Sequence, residues 1–215
     1  MAGPHTSDAL RLAELLAARL CHELAGPAGA LAGTLELAVE DRDFDAVAMA
    51  HEQAALLVAR LRLLRAAWGG GKALDVPQLR ALLVGLPRAA RVRTDLDRLD
   101  PAAGFPPPAA RLLLNVLLLA GESLPRGGRV ALASVASGTV VSLHGKGADC
   151  QVADWPASLA ATLGGDFSWA RVDARHLQAP LTALMARTAG IGLTLAAAGG
   201  PGEDAATLLI GPGFR

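Results

Sequence analysis

The sequence lacks the features that mark secreted, membrane-spanning, zinc-binding and nucleic-acid-binding proteins. Only two of its 215 residues are cysteines, which is too few for a disulfide framework, and no Cys or His spacing indicates zinc. The longest apolar run, 112–120, is far shorter than the roughly 20 residues that cross a bilayer. Twenty basic and 20 acidic residues cancel, so nothing points to nucleic acid or to an anionic membrane as partner. No secretory signal is visible at the N-terminus, and we expect a soluble cytoplasmic protein.

The first 68 residues are rich in Ala, Leu, Glu and Arg and poor in β-branched residues, which favours helix. Ser7 and Asp8 predict the first N-cap, and the segment 40–43 predicts a turn before a second helix that begins near Asp45. Leucines recur at helical spacing in the first helix, at Leu16, Leu20, Leu24, Leu31 and Leu35. The second helix carries a stripe of Ala50, Ala54, Leu57, Leu61, Leu64 and Trp68. The pattern predicts a helical hairpin.

One hairpin cannot cover two apolar stripes, and bundles of four helices are the common solution. We therefore expect a homodimer in which two hairpins form a four-helix bundle. The glycine run 69–71 combines backbone freedom with a change in composition, so it is the predicted domain boundary. The predicted domains are 1–71 and 72–215.

From residue 72 onward, helical and strand patterns alternate. The predicted helices span about 75–85, 109–123, 156–163 and 177–189, and the predicted strands span 91–96, 129–135, 138–144, 191–197 and 206–210. Helices against an antiparallel or mixed sheet make an α/β sandwich. The predicted fold class is α+β, with an N-terminal helical hairpin and a C-terminal sandwich.

The segment 20–27 holds the residues most suited to chemistry, because it places His22 beside Glu23 and five residues before Pro27. Imidazole is a nucleophile that can accept a phosphoryl group, and a neighbouring carboxylate can orient it or take its proton. His22 lies about 200° around the helix from Leu20 and Leu24, so it should face solvent. Its neighbours on that face are small: Ala18, Ala25, Gly26 and Gly29. From these residues alone, an ordinary surface histidine remains the alternative.

The pattern His-Glu-Leu-x-x-Pro resembles the phospho-accepting H box of sensor histidine kinases. The wider stretch from Ala18 to Ala30 is similar to that of ChpT-type histidine phosphotransferases. That resemblance implies a dimeric four-helix bundle joined to a degenerate kinase ATPase-like domain, with His22 phosphorylated and Glu23 orienting or deprotonating it. It also implies receiver domains of response regulators and of a hybrid histidine kinase as partners. They would dock on Ala18, Arg19, Ala25, Gly26 and Gly29.

The segment 111–128 resembles the N box of the histidine-kinase ATPase domain. That box normally carries a second asparagine four residues after the first, where it holds the magnesium of ATP. Here Asn115 is followed by Leu119, which has no oxygen to offer a hard cation. The place of the adenine-binding aspartate falls on Leu143. These residues predict a degenerate nucleotide site with no metal and no cofactor of its own. The resemblance to histidine phosphotransferases implies that Mg²⁺ resides on the partner receiver.

The other histidines are predicted to have no chemical role. His51 has a carboxylate neighbour, Glu52, but no proline follows it, so it is predicted to lie on the bundle surface. His5, His144 and His176 have no carboxylate neighbour in sequence and are predicted to be solvated or structural.

Three functions compete on this basis. The leading hypothesis is a phosphorelay histidine phosphotransferase that shuttles a phosphoryl group between receiver aspartates through His22 without binding ATP. The second is a diverged ATP-dependent histidine kinase, against which Leu119 and Leu143 argue. The third is a non-catalytic dimeric adaptor whose histidine is incidental.

Overall fold

The computed structural model describes residues 4–87, 91–145, 153–196 and 205–212. The chain divides into two compact units. One unit holds Met1–Leu61 with Ser168–Leu177, and the other holds Arg62–Phe167 with Gln178–Arg215. The predicted boundary between residues 71 and 72 does not coincide with this division. In the part of the chain that the structure describes, no helix is both long and apolar enough to cross a membrane.

The predicted hairpin is present, with α1 spanning Pro4–Glu40 and α2 spanning Phe44–Trp68. The first unit holds α1 and the part of α2 up to Leu61, and the last residues of α2 belong to the second unit. The chain reverses through Arg42, whose φ is 52°, and the carboxylate of Asp43 accepts a hydrogen bond from the Asp45 N–H at 2.8 Å. The start of α1 is earlier than the predicted cap at Ser7, because Pro4 suits the first turn of a helix, where no N–H is needed.

The buried face of α1 differs from the predicted leucine stripe. Leu15, Arg19, Thr34 and Ala38 are buried, whereas Leu20 and Leu35 are exposed. The physical reason is that α1 carries apolar residues on more than one face, and the single hairpin covers only one of them. Across that covered face, Thr34 Oγ1 hydrogen-bonds Gln53 Oε1 of α2 at 3.2 Å.

The second unit is built on a five-stranded sheet in the order β2-β4-β5-β7-β6. Its strands are β2 (Val92–Arg98), β4 (Gly128–Val135), β5 (Gly138–Gly145), β6 (Ile191–Ala196) and β7 (Ala206–Pro212). Strands β2 and β4 pair in parallel, and the other neighbours are antiparallel. The predicted α+β class and mixed sheet are therefore confirmed. Residues 197–204, between the predicted strands 191–197 and 206–210, lie outside the described residues.

The helices of this unit follow the predictions closely: α3 (Val76–Leu83), α4 (Pro107–Ser123), α5 (Ala157–Leu163) and α6 (Gln178–Ala189). Asp75 caps α3 in a capping box with Gln78. Nearly every residue of α4 from Ala110 to Gly121 is buried, which is expected of a helix that is apolar on all sides. Two short elements were not predicted, the pair β1 (Leu74–Asp75) with β3 (Gly104–Phe105) and a 3₁₀ turn at Trp169–Arg171.

Two of the three glycines that follow α2 lie in close contact with other atoms, whereas Gly70 is open to solvent. A Cβ added at Gly71 would lie 2.5 Å from the Arg111 side chain, and one at Gly69 would lie 2.6 Å from the Arg65 carbonyl oxygen. At Gly69 and Gly71, glycine is favoured because a side chain would collide with these neighbours.

Candidate functional site

His22 lies on an exposed face of α1 in the first unit, as helical geometry predicts. Ala18, Ala25, Gly26 and Gly29 are exposed on the same face. A Cβ added at Gly26 or Gly29 would meet nothing within 4 Å. The side chains around the imidazole are thus small and exposed, so they do not block access to the ring.

Glu23 is held by two arginines. Its Oε1 lies 2.9 Å from Arg19 Nη2, and its Oε2 lies 3.4 Å from Arg60 Nη1 on α2. Adjacent helical residues point about 100° apart, so Glu23 is directed to the flank of the His22 face. Among the described residues, no hydrogen bond joins Glu23 to the imidazole. The predicted role of Glu23 as orienter or base of His22 is not what these contacts support.

Arg19 does not belong to the exposed surface on which it was predicted to lie. It is only 9% exposed. Besides its ion pair with Glu23, it donates hydrogen bonds to the carbonyl oxygens of Ala174 at 3.4 Å and Arg175 at 3.1 Å. Because the guanidinium already binds these partners within the unit, it is not available to a docking protein.

The segment 172–176, which supplies those carbonyls, runs beside α1. Arg11 donates to the carbonyl oxygen of Val172 at 3.1 Å. Within the segment, one carboxylate oxygen of Asp173 accepts from the N–H groups of Arg175 and His176 and lies 2.8 Å from His176 Nδ1. The N–H of His176 is the main reason that the pKa of Asp173 lies below its usual value.

The carboxylate partner of His176 is not adjacent to it in sequence and was not predicted. The signal is the Asp-x-x-His spacing, which a turn brings together. His51 and Glu52 are exposed on α2, as predicted, and His144 is half-buried on β5. The side chain of His5 lies outside the described residues.

The predicted degenerate nucleotide site lies in the second unit, where Asn115 is a fully engaged structural amide. Its Oδ1 accepts from Trp68 Nε1 at 3.1 Å and from Gln178 Nε2 at 2.9 Å. Its Nδ2 donates to the carbonyl oxygens of Ala67 at 2.9 Å and Arg111 at 2.8 Å. Four bonds use the whole capacity of an amide. Asn115 therefore joins the end of α2 to α4 and α6.

The two leucines that replace polar kinase residues lie in the core. Leu119 is 1% exposed and Leu143 is 0% exposed. Gly190, with a φ of 65°, ends α6 and leads directly into β6. No cluster of three or more His, Cys, Asp or Glu side chains suited to a metal ion occurs in the described part of the chain.

Most of the sequence after α2 matches a known protein family. Residues 76–201 match the family model of the histidine phosphotransferase C-terminal domain. The chain belongs to this histidine phosphotransferase family, and its predicted phosphorelay phosphotransferase function is confirmed.

Two relatives match over nearly the whole chain. Protein phosphotransferase ChpT of Brucella abortus (strain 2308) is 29% identical over 202 residues, which are 91% of this chain and 94% of that protein. A bacterial phosphotransferase structure determined at 1.7 Å has a TM-score of 0.73 and 27% identity, and it covers 94% of this chain and 96% of its own. The resemblance to ChpT-type proteins is thus confirmed. A histidine kinase, AdeS of Acinetobacter baumannii, has a TM-score of only 0.37 at 13% identity, which is too low to carry a conclusion.

Proposed function

We propose that His22 is the phosphorylated residue of a phosphorelay. It takes a phosphoryl group from an aspartyl phosphate on the receiver domain of a hybrid histidine kinase and passes it to the receiver aspartate of a response regulator. The observation that carries this proposal is that the imidazole is exposed and has only small side chains beside it on the helix face, which leaves room for a folded partner. Family membership supports it, and transfer of label from a phosphorylated receiver to the full chain tests it.

Phosphoryl transfer through His22 requires few groups from this protein. The ring nitrogen of neutral His22 that carries no proton attacks phosphorus, an N–P bond forms, and the P–O bond to the aspartate breaks. The carboxylate leaves with the bonding electron pair, and the other ring nitrogen keeps its proton. The return step is the same displacement in reverse. Mg²⁺ in the receiver's acidic site neutralises the phosphoryl oxygens, so this chain supplies a nucleophile, a surface and no cofactor.

We infer that the second unit binds no nucleotide. A magnesium ligand of ATP would require a free polar group on α4, but Asn115 is saturated by four protein partners and Leu119 is buried. The adenine position falls on Leu143 in the sheet core. An apolar lining gives a triphosphate no compensation for lost hydration. This argues for a phosphotransferase and against a diverged kinase.

The receiver is expected to dock over Gly26, since this residue lies one turn from His22 on the open face. Gly26→Trp should slow transfer from a phosphorylated receiver about 100-fold or more, because an indole in this place holds the aspartate away from the ring. Ala161→Trp, on an exposed alanine of α5, is the matched control and should transfer at the wild-type rate. Equal rates for both variants would place the docking surface elsewhere.

We further propose that the protein is a cytoplasmic homodimer paired through its hairpins. Most of the large hydrophobic side chains exposed in the described chain belong to α1 and α2: Leu10, Leu20, Leu35, Leu37, Val39, Phe44, Val47, Met49, Leu56, Val58 and Leu61. Such a concentration of exposed apolar side chains on one unit is typical of a protein interface. A second hairpin would cover it and complete four helices.

Sedimentation equilibrium at micromolar concentration should therefore give about twice the chain mass of 21.9 kDa. Leu35→Glu should shift the protein toward monomer, because a charge would be buried in the interface. Val84→Glu, on an exposed valine that follows α3, should leave the dimer intact. A wild-type protein that sediments as a monomer would contradict the four-helix bundle.

A further inference from the structure

An ion-pair cluster of Arg19, Glu23 and Arg60 lies beside His22 and has no part in the displacement described above. The side chains of Arg19, Glu23 and Arg60 are 10%, 11% and 19% exposed. Burial lowers the pKa of Arg60 from its usual value, and the charge of Glu23 opposes that change. Because the three side chains are largely removed from water, removal of one partner has a larger effect than at an exposed pair.

The cluster continues into the main chain of segment 172–176. Arg19 binds Glu23 through Nη2 and the carbonyl oxygens of Ala174 and Arg175 through Nη1. The planar guanidinium has several N–H donors and can bind these partners at the same time, whereas the ammonium group of a lysine is a compact point charge. The result is a continuous connection from this segment through α1 to Arg60 on α2, all within one compact unit.

The cluster also lies close to the nucleophile. On α1, Arg19 is about 60° and Glu23 about 100° around the helix from His22, both toward the same side and within about one turn. They therefore form one border of the exposed His22 face. The attack on phosphorus requires no base, since the attacking nitrogen of neutral imidazole carries no proton.

We propose that Glu23 is a positioning residue and not the proton acceptor of His22. With Arg19 and Arg60 it forms a clamp that fixes segment 172–176 along α1, at the border of the surface around His22. The statement about proton transfer rests on the proposed function of His22. The statement about the clamp does not, and it can be tested separately.

Limited proteolysis with trypsin tests the clamp. Trypsin cleaves the peptide bond between Arg175 and His176. Arg19 donates a hydrogen bond to the carbonyl oxygen of that bond at 3.1 Å. Cleavage at this position requires the segment to leave α1 first. In the full chain, Arg19→Lys should raise the rate of appearance of the peptide beginning at His176 about tenfold, and Glu23→Gln about threefold. Glu36→Gln, on an exposed glutamate of the same helix, should leave the rate unchanged.

Phosphoryl transfer measured against pH tests the role of Glu23. Loss of a general base typically costs 10²–10⁴-fold in rate. Glu23→Gln should instead transfer phosphate within about tenfold of the wild-type rate, and the dependence of the rate on pH should keep its shape. Circular dichroism of each variant should show unchanged helix content.

The two arms separate the possible results. Unchanged cleavage at Arg175 in Arg19→Lys would overturn the clamp, whether or not His22 is phosphorylated. A loss of 100-fold or more in Glu23→Gln together with an altered pH profile would restore Glu23 as base. If wild-type protein takes no label while cleavage rises as expected, the clamp stands and the proposed function fails.

Discussion

His22→Ala is expected to remove all label from the protein when it is incubated with a phosphorylated receiver domain. The reason is that the imidazole is the nucleophile of both displacement steps, and alanine offers no lone pair to phosphorus. Because His22 is exposed, its truncation should change the free energy of unfolding by no more than about 0.5 kcal/mol. Autoradiography after denaturing electrophoresis measures the label, and urea denaturation measures stability.

Two matched variants accompany this test. His51→Ala removes the other His-Glu pair, and His176→Ala removes the histidine that Asp173 binds. Both should keep the wild-type level of label. Full labelling of His22→Ala would refute the central assignment, and loss of label in His51→Ala alone would mean that the second pair carries the phosphate.

Asn115→Leu should destabilise the second unit by about 3 kcal/mol, although the substitution adds apolar surface to a core helix. With leucine at this position, the Ala67 carbonyl oxygen would lose its donor, Asn115 Nδ2. The indole N–H of Trp68 would lose its acceptor, Asn115 Oδ1. Unsatisfied buried groups of this kind cost about 1–3 kcal/mol each. Urea denaturation followed by tryptophan fluorescence measures the loss.

Ser123→Ala is the control on the same helix. Its hydroxyl donates only to the Leu119 carbonyl one turn back, at 2.9 Å, so its removal should cost less than about 1 kcal/mol. If Asn115 were a nucleotide ligand, its substitution would change affinity for Mg·ATP and spare the fold. Our account predicts the reverse, with no heat of binding in a calorimetric titration of the wild-type protein with millimolar Mg·ATP.

Local patterns in the sequence were sufficient to predict most of the fold. Helix composition and the acidic turn located the hairpin, and alternation of apolar residues located the five strands of the main sheet. The face of α1 that is buried within the chain could not be predicted, because α1 is apolar on more than one side. The pair β1 and β3 has only two residues per strand, which is too short to show a period.

The site was predictable only where one helix determines it. The exposure of His22 and of its small neighbours follows from helical spacing. The burial of Arg19 depends on residues 174 and 175, more than 150 positions away in the chain, and no local pattern reports such a contact. Similarly, resemblance to a kinase box singled out Asn115, but its partners Trp68 and Gln178 come from other helices.

The most direct test of the account is to locate the phosphate on the wild-type protein. After incubation with a phosphorylated receiver and Mg²⁺, peptide mapping under alkaline conditions preserves phosphohistidine and destroys aspartyl phosphate. The account predicts phosphate on His22 alone, and loss of this label to a second, unphosphorylated receiver added afterwards. Phosphate on any other residue, or a protein that takes no phosphate from any receiver, would contradict it.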